Sequence, residues 1–259
     1  MVDVVDAAEA AVMPTFGGKV VVVTGGSRGL GRAMALGFAA AGADVVVSSR
    51  KTAACEEVAG GIRALGRQAV AVGCHVGDWH GCEQLVSATL EHFGRIDVLV
   101  NNAGIAPVAP SLDQVSEELF DKTVAVNLKG PLRLMSLAAQ HMPSGSAIIN
   151  ISSKASVRPT PMTLVYAGAK AGLNAVTKAV SQELGPRGIR VNAIVCGTFH
   201  TDSFGKVIPT PDAKARVAST ISLRRVADAE EIVGTALFLA SDASAYMTGS
   251  LIELDGGLA

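Results

Sequence analysis

Seven short apolar runs, separated by stretches of helix length, constrain this chain more than any other feature. They fall at Val20 to Val23, Val45 to Val47, Ala69 to Val72, Ile96 to Val100, Ala147 to Ile151, Arg190 to Val195 and Ser250 to Leu254. A strand that must run parallel to its neighbour needs a crossover of about a dozen residues, usually a helix, to bring the chain back to the starting edge. Regular alternation of the two therefore predicts an α/β fold with a doubly wound parallel sheet and helices on both faces. The 259 residues are enough for one such domain with a full core. We find no internal repeat, low-complexity tract or Pro/Gly linker, so residues 19–259 are expected to form a single domain behind a leader, residues 1–18. The stretch from Thr198 to Ser222 differs in texture, with Gly205, Pro209 and Pro211 among scattered polar residues, and is expected to be a mobile loop lying over the substrate.

Charge narrows the partners. With 22 Lys and Arg against 23 Asp and Glu the formal net charge is −1, which gives no positive field for a nucleic acid backbone or an anionic bilayer. No apolar run approaches the roughly 20 residues that span a bilayer. The first residues carry no basic segment ahead of an apolar one, and a cytoplasmic location is the default expectation. The leader reads equally as a short helix, a disordered arm or a product of start-site choice, since Met13 offers a second start. Cys55, Cys74, Cys82 and Cys196 form no CxxC pair and have no metal-like His spacing. Reduced, unpaired thiols and no metal site are expected.

The first apolar run leads into Thr24-Gly25-Gly26-Ser27-Arg28-Gly29-Leu30-Gly31, and an Ala-rich helical stretch from Arg32 to Ala41 follows. Glycines between a strand and a helix let the backbone turn tightly and approach a pyrophosphate, whose charge then meets the positive helix N-terminus. The turn thus points to a dinucleotide held in a Rossmann-like sheet. Further on, Tyr166 and Lys170 stand four apart in an Ala-rich helical stretch, so their side chains share one helix face. An ammonium beside a phenol stabilises the phenolate, and we expect it to lower the Tyr166 pKa from its ordinary value of about 10. A phenol so tuned can give a proton to a carbonyl oxygen, or take one from an alcohol.

The spacing T-G-x-x-x-G-x-G, together with Asn101-Asn102-Ala103-Gly104, Asn127, Ser153, Tyr166-x-x-x-Lys170 and Asp255-Gly256-Gly257, resembles the short-chain dehydrogenase/reductase family from about Lys19 to the C-terminus. The resemblance implies hydride transfer between a nicotinamide cofactor and a carbonyl or secondary alcohol, with Asn127, Ser153, Tyr166 and Lys170 as the catalytic set. In that set Tyr166 is the acid/base, Ser153 holds the substrate oxygen, and Asn127 organises a helix and a water leading protons to the lysine. It also implies a cofactor site made by Gly25, Ser27, Arg28, Gly29, Leu30 and Gly31, by Ser49 and Arg50, by His75 and Val76, and by Asn102, Ala103 and Gly104. Tyr166, Lys170, Gly197, Phe199 and Thr201 complete it at the nicotinamide end.

At the end of the second strand, Val47-Ser48-Ser49-Arg50-Lys51 offers no carboxylate for the ribose hydroxyls, whereas Arg50 and Arg28 suit a 2′-phosphate. NADP(H) is therefore favoured, with NAD(H) as the alternative. The family pattern is departed from twice. His75 stands where an Asp usually contacts the adenine amine. Cys196 replaces a proline before Gly197, which restores a backbone N–H and frees φ. Lys154 and Arg158 read as solvated loop residues, and His141 and His200 carry no catalytic signal.

Three other readings fit the sequence less well. A 3-oxoacyl thioester reductase docking an acidic carrier protein through two arginines finds Arg187 at one position but Ser144 at the other. A non-catalytic NADP(H)-binding sensor or scaffold has no need of a tuned phenol. An enoyl reductase of the same superfamily has a wider Tyr-to-Lys spacing. Assembly as a homotetramer is expected from the resemblance, with the small residues Ala167, Gly168, Ala169, Ala171 and Gly172 permitting close helix approach.

Overall fold

The computed structural model describes residues 15–201, 204–205, 208 and 210–258. Seven parallel strands form one sheet: β1 (Val20–Thr24), β2 (Asp44–Ser49), β3 (Ala69–Gly73), β4 (Val98–Asn101), β5 (Ala147–Ser153), β6 (Arg190–Cys196) and β7 (Leu251–Leu254). Their spatial order is β3-β2-β1-β4-β5-β6-β7, every pairing being parallel. This is the doubly wound sheet that the alternating runs predict. The α-helices bounded within the described residues are α1 (Gly29–Ala40), α2 (Thr52–Ala64), α3 (Trp79–Phe93), α4 (Glu117–Val124), α5 (Gly130–Ala139), α6 (Leu164–Leu184), α7 (Pro211–Ser219) and α8 (Ile232–Ala240).

Period-two alternation divides the valines between the two faces of the sheet. Val21, Val23, Val45 and Val47 pack with Met34 and Phe38 of α1, Ile62 of α2 and Leu237 of α8. Val22, Val46, Leu99 and Ile148 pack on the other side with Leu85 of α3, Leu134 and Met135 of α5 and Leu184 of α6. Each such side chain, fully buried, contributes about 1.5–3 kcal/mol. Both faces are therefore covered, and the strand ends at one edge are left to carry chemistry.

Two boundaries differ from the sequence expectation. Phe16, placed in the leader by its position before the first strand, is buried in the core, edge-on to Phe38 with ring centroids 5.2 Å apart. Its N–H donates to the Ala41 carbonyl at 2.7 Å, so the domain already includes Phe16. The rest of the leader, residues 1–14, lies outside the described residues. Within Thr198 to Ser222 the chain forms α7 rather than a continuous loop. Thr210 caps it by accepting from the Ala213 N–H, and Pro211 occupies its first turn, where a missing N–H costs nothing. The helix buries no residue and so leaves no apolar period in the sequence. Positions 202–203, 206–207 and 209 of this segment lie outside the described residues.

Candidate active site

The strand order reverses between β1 and β4, and a crevice opens there at the C-terminal ends of the strands. Side chains from the end of β4 stitch it together. Asn102 Nδ2 donates to the carbonyls of Thr24 at 2.8 Å and Gly25 at 3.2 Å. Thr24 Oγ1 accepts the N–H groups of Asn102 (3.0 Å) and Ala103 (3.1 Å) while donating to the Val100 carbonyl (3.2 Å). Glycine is required on both sides of this contact. Gly25 has φ +64°, and a Cβ at Gly31 would stand 2.3 Å from the Gly25 carbonyl oxygen.

Among the described residues, the helix that follows, α1, has no cap from the side chain of the residue before it, Arg28, and its first turn contains no acid. Orphan N–H groups at such an end attract an anion, and the missing Cβ atoms leave room for one to approach, which fits the diphosphate of a dinucleotide. Ser27, Gly29 and Leu30 border the same turn, half-buried. Thr201 reaches it from the segment after β6, its Cγ2 3.4 Å from where a Gly29 Cβ would be.

On the flank of the crevice, Gly26 N–H donates to the Ser48 carbonyl at 3.0 Å and holds the end of β2 against the turn. Ser49 lies 3.0 Å from the Cys55 thiol, and Arg50 beyond it is exposed. The structure places His75, also exposed, at the end of β3 with its ring folded back against Gly77, while Val76 is buried. All four cysteines are free and buried. Among the described residues no group of three or more His, Cys, Asp or Glu side chains is arranged to hold a metal. No described helix is long and apolar enough to cross a membrane.

The four residues of the expected catalytic set converge at the ends of β4 and β5. Asn127 lies fully buried in a π-helical turn, Ala125–Lys129, that joins α4 to α5. The Asn127 amide reaches back along this turn to the Thr123 carbonyl at 2.9 Å. The same Nδ2 donates to the Ile105 carbonyl at 2.8 Å, and its Oδ1 accepts the Ile105 N–H at 3.3 Å, which fixes the loop after Gly104. A Cβ at Gly104 would lie 3.0 Å from Asn127 Oδ1 and 3.7 Å from Lys170 Nζ, so the two side chains share one neighbour. Lys170 is 3% exposed and donates from Nζ to the Ile151 carbonyl at 2.7 Å. Burial lowers its pKa from 10.5 to about 8.

Tyr166 departs from the sequence expectation in sign. Its pKa is raised, not lowered: burial is the largest influence, the Ser153 hydroxyl facing it acts in the opposite direction, and Cys196 raises it further. The residue as a whole is only half-buried, but the phenol points inward. The lysine does not offset this, because Nζ is turned to Ile151 and sits 6.0 Å from the centroid of the Tyr166 ring. The phenol is thus held in its protonated form. Cys196, the residue in place of the proline, is buried, and its thiol is pushed up to about 12 by burial, with the Lys170 charge lowering it only in part. It is a neutral neighbour rather than a nucleophile.

Beyond the sheet edge the structure assigns Lys154 differently from a solvated loop residue. β5, β6 and β7 are in register at Ser153, Cys196 and Leu254, so Lys154, Gly197 and Asp255 lie side by side one step further. Lys154 Nζ reaches across Gly197 to Asp255 Oδ2 at 2.7 Å and to Glu253 Oε2 at 2.9 Å. A side chain on Gly197 would meet Asp255 Cα at 2.6 Å. The Asp255 carboxylate also accepts the Gly257 N–H at 2.8 Å, and the carbonyls of Gly256 and Gly257 accept Leu223 and Ser222 N–H groups at 3.1 Å. Phe199, expected at the cofactor, sends its ring into the apolar core instead, and its backbone forms a bridge with Ala227. Arg187 donates to the Ala139 carbonyl at the end of α5.

Fold and site together define an NAD(P)-dependent oxidoreductase, and comparison with known proteins agrees. A family model described as Enoyl-(Acyl carrier protein) reductase matches residues 25–259. An L-rhamnose 1-dehydrogenase (NAD(P)(+)) from Azotobacter vinelandii is 40% identical over 247 residues, covering 93% of this chain and 96% of the relative. A 3-oxoacyl-(acyl-carrier-protein) reductase from Synechocystis is 38% identical over 250 residues, 95% of this chain and 99% of that one. A short-chain dehydrogenase from Burkholderia cenocepacia, solved in complex with NADP, superposes with a TM-score of 0.88 at 34% identity, covering 94% of this chain and 98% of that one. The chain belongs to the short-chain dehydrogenase/reductase family.

Proposed function

We propose that this oxidoreductase reduces a carbonyl compound, with NADPH as its preferred cofactor and Tyr166 giving the proton. The observation that carries the reading is the gathering of Asn127 and Lys170 around Gly104, with Lys170 anchored to Ile151 of the strand that ends in Ser153 and one helical turn from Tyr166, whose phenol is buried. Gly25, Ser27, Arg28, Gly29, Leu30 and Gly31 would hold the diphosphate; Asn102, Ala103 and Gly104 would line the path to the nicotinamide end, near Gly197 and Thr201. When bound, the cofactor supplies the hydride. Ser153 holds the substrate oxygen, and Tyr166 donates to it as negative charge develops there. Lys170 and Asn127, which share Gly104 as a neighbour, stand behind the phenol to restore its proton.

Preference for NADPH is supported by Arg50, exposed past the end of β2, and by the absence of a carboxylate in Ser48-Ser49-Arg50-Lys51. The sensor reading is opposed by Lys170, since a binder gains nothing from burying an ammonium. The carrier-protein reading is weakened by Arg187, whose guanidinium is committed to Ala139. Homotetramer assembly is the state we expect of the assembled enzyme, to be read by light scattering.

The test is initial-rate loss of reduced-nicotinamide absorbance with NADPH and NADH against diacetyl, ethyl acetoacetate, acetoacetyl-CoA and L-rhamnono-lactone, with alcohols in the reverse direction. Turnover that vanishes in Tyr166→Phe supports the reading, and Arg50→Ala should raise the KM for NADPH by about 10- to 100-fold, as loss of a charge-assisted contact does, while sparing NADH. Equal turnover in Tyr166→Phe, or an NADH preference in the native chain, would overturn it.

A further inference from the structure

Ser153 and Tyr166 stand on different elements, one at the end of β5 and the other near the start of α6, so something must fix the distance between their hydroxyls. After Ser153 the chain makes a single 3-10 turn, Lys154–Ser156. The Ser156 hydroxyl closes that turn by donating to the Ser153 carbonyl at 2.6 Å. The same oxygen accepts Asn174 Nδ2 at 2.8 Å. Asn174 is 7% exposed and belongs to α6, four residues beyond Lys170 and eight beyond Tyr166, so the three side chains follow one face of a single helix.

The Asn174 amide has little other employment. Its Oδ1 is buried without a protein partner, so the whole of its hydrogen bonding within the described residues is spent on Ser156. A buried carbonyl oxygen left unpaired has a cost, and an apolar residue at this helix position would avoid it. An asparagine here makes sense as a means of holding Ser156. The two hydrogen bonds, from Asn174 to Ser156 and from Ser156 to the Ser153 backbone, then refer Ser153 to the same rigid helix that carries the phenol.

Resting on the reading of Ser153 and Tyr166 given above, we infer that Asn174 and Ser156 are positioning residues that set the Ser153 hydroxyl against the Tyr166 phenol. Neither touches substrate or cofactor in this arrangement; both act through Ser153. A merely structural staple of the 3-10 turn would have a different signature, because it would affect stability without affecting the phenol.

The phenol itself can be observed. The chain has two tyrosines, Tyr166 and Tyr246, and Tyr246 is fully exposed, so protein labelled with 13Cζ-tyrosine gives one buried signal and one internal reference. Groups that bear on the buried ring are Ser153, Lys170 and Cys196. Removing the Ser153 hydroxyl should move the Tyr166 titration upward. Asn174→Ala and Ser156→Ala should each move it in the same direction, neither should add to the shift of Ser153→Ala, and Ser156→Thr, which keeps the hydroxyl, should restore it. With NADPH and whichever panel carbonyl the native chain turns over, kcat should fall about 10- to 100-fold in both alanine variants, the scale expected of a misplaced group, with NADPH affinity unchanged. An unmoved Tyr166 signal in a folded Ser156→Ala or Asn174→Ala protein, or a shift that adds to that of Ser153→Ala, would overturn the inference. Should Asn174→Ala not fold, Ser156→Ala decides alone. Failure of the underlying reading appears separately, as turnover retained in Tyr166→Phe or Ser153→Ala.

Discussion

Replacing Lys170 by methionine should alter stability in a way that depends on pH, and the size of the effect follows from its burial. A fall in the lysine pKa from 10.5 to about 8 on folding corresponds to about 3 kcal/mol. Below about pH 8 the ammonium is charged in folded and unfolded chains alike, and the native state bears this cost in full. Between about 8 and 10.5 the unfolded chain still holds the proton and the folded one does not, so native stability climbs with pH by that amount. Lys170→Met has no such slope. It also loses the hydrogen bond from Nζ to the Ile151 carbonyl, about 1.5–3 kcal/mol, which the neutral amine can still donate, so that this loss applies at pH 7 and pH 10 alike. At neutral pH the two effects nearly cancel and the variant should be about as stable as the native protein; near pH 10 it should be the weaker by about 3 kcal/mol, or roughly 6–12 °C in Tm. Urea unfolding of both proteins without cofactor, at about pH 7 and pH 10, measures the difference, and comparing them cancels the alkaline titration of Tyr166 and Cys196. Turnover should fall by about 100- to 10,000-fold. A stability difference that is the same at both pH values would refute the claim that a buried ammonium is held at this site.

Other expectations follow from single contacts. Asn102→Ala removes both amide bonds to the Thr24 and Gly25 carbonyls and should weaken NADPH binding about 10-fold in a fluorescence titration, with a Tm loss of a few degrees. Gly31→Ala places a methyl group 2.3 Å from the Gly25 carbonyl oxygen, so cofactor binding should be lost in isothermal calorimetry while the far-ultraviolet spectrum is kept. Cys196 should resist alkylation: with the thiol pushed up to about 12 and buried, iodoacetamide near pH 8 should leave it unmodified by mass spectrometry in the folded protein and label it after unfolding. Asp255→Asn should leave Lys154 half-neutralised and raise KM more than it lowers kcat, read from initial rates with NADPH.

What the sequence made legible depended on periodicity and on glycine. The β-branched runs placed all seven strands to within a residue or two, and the turn from Thr24 to Gly31 placed the crevice, because both signals are local. Signals that depend on three dimensions were hidden. Helix α7 buries nothing and so has no apolar period; Phe16 looked like leader because its partner Phe38 is distant in sequence. The sign of the Tyr166 shift is hidden from the sequence, because helix spacing shows that Lys170 shares its face but not that Nζ turns to Ile151. Lys154 and Asn174 carry no motif at all: one is defined by a partner on β7, the other by a hydroxyl past the end of β5.

The alignment of Lys154, Gly197 and Asp255 past the ends of three adjacent strands has a consequence for how this protein can diverge. The lysine crosses only because the middle position has no side chain, and the aspartate is drawn in close enough to need that absence. Substituting any one of the three strands a charge or blocks a path, so each single change is disfavoured where a concerted one is not. In a deep alignment of descendants the three positions should therefore covary, with glycine kept wherever the opposite charges are kept and relaxed wherever both have been lost together.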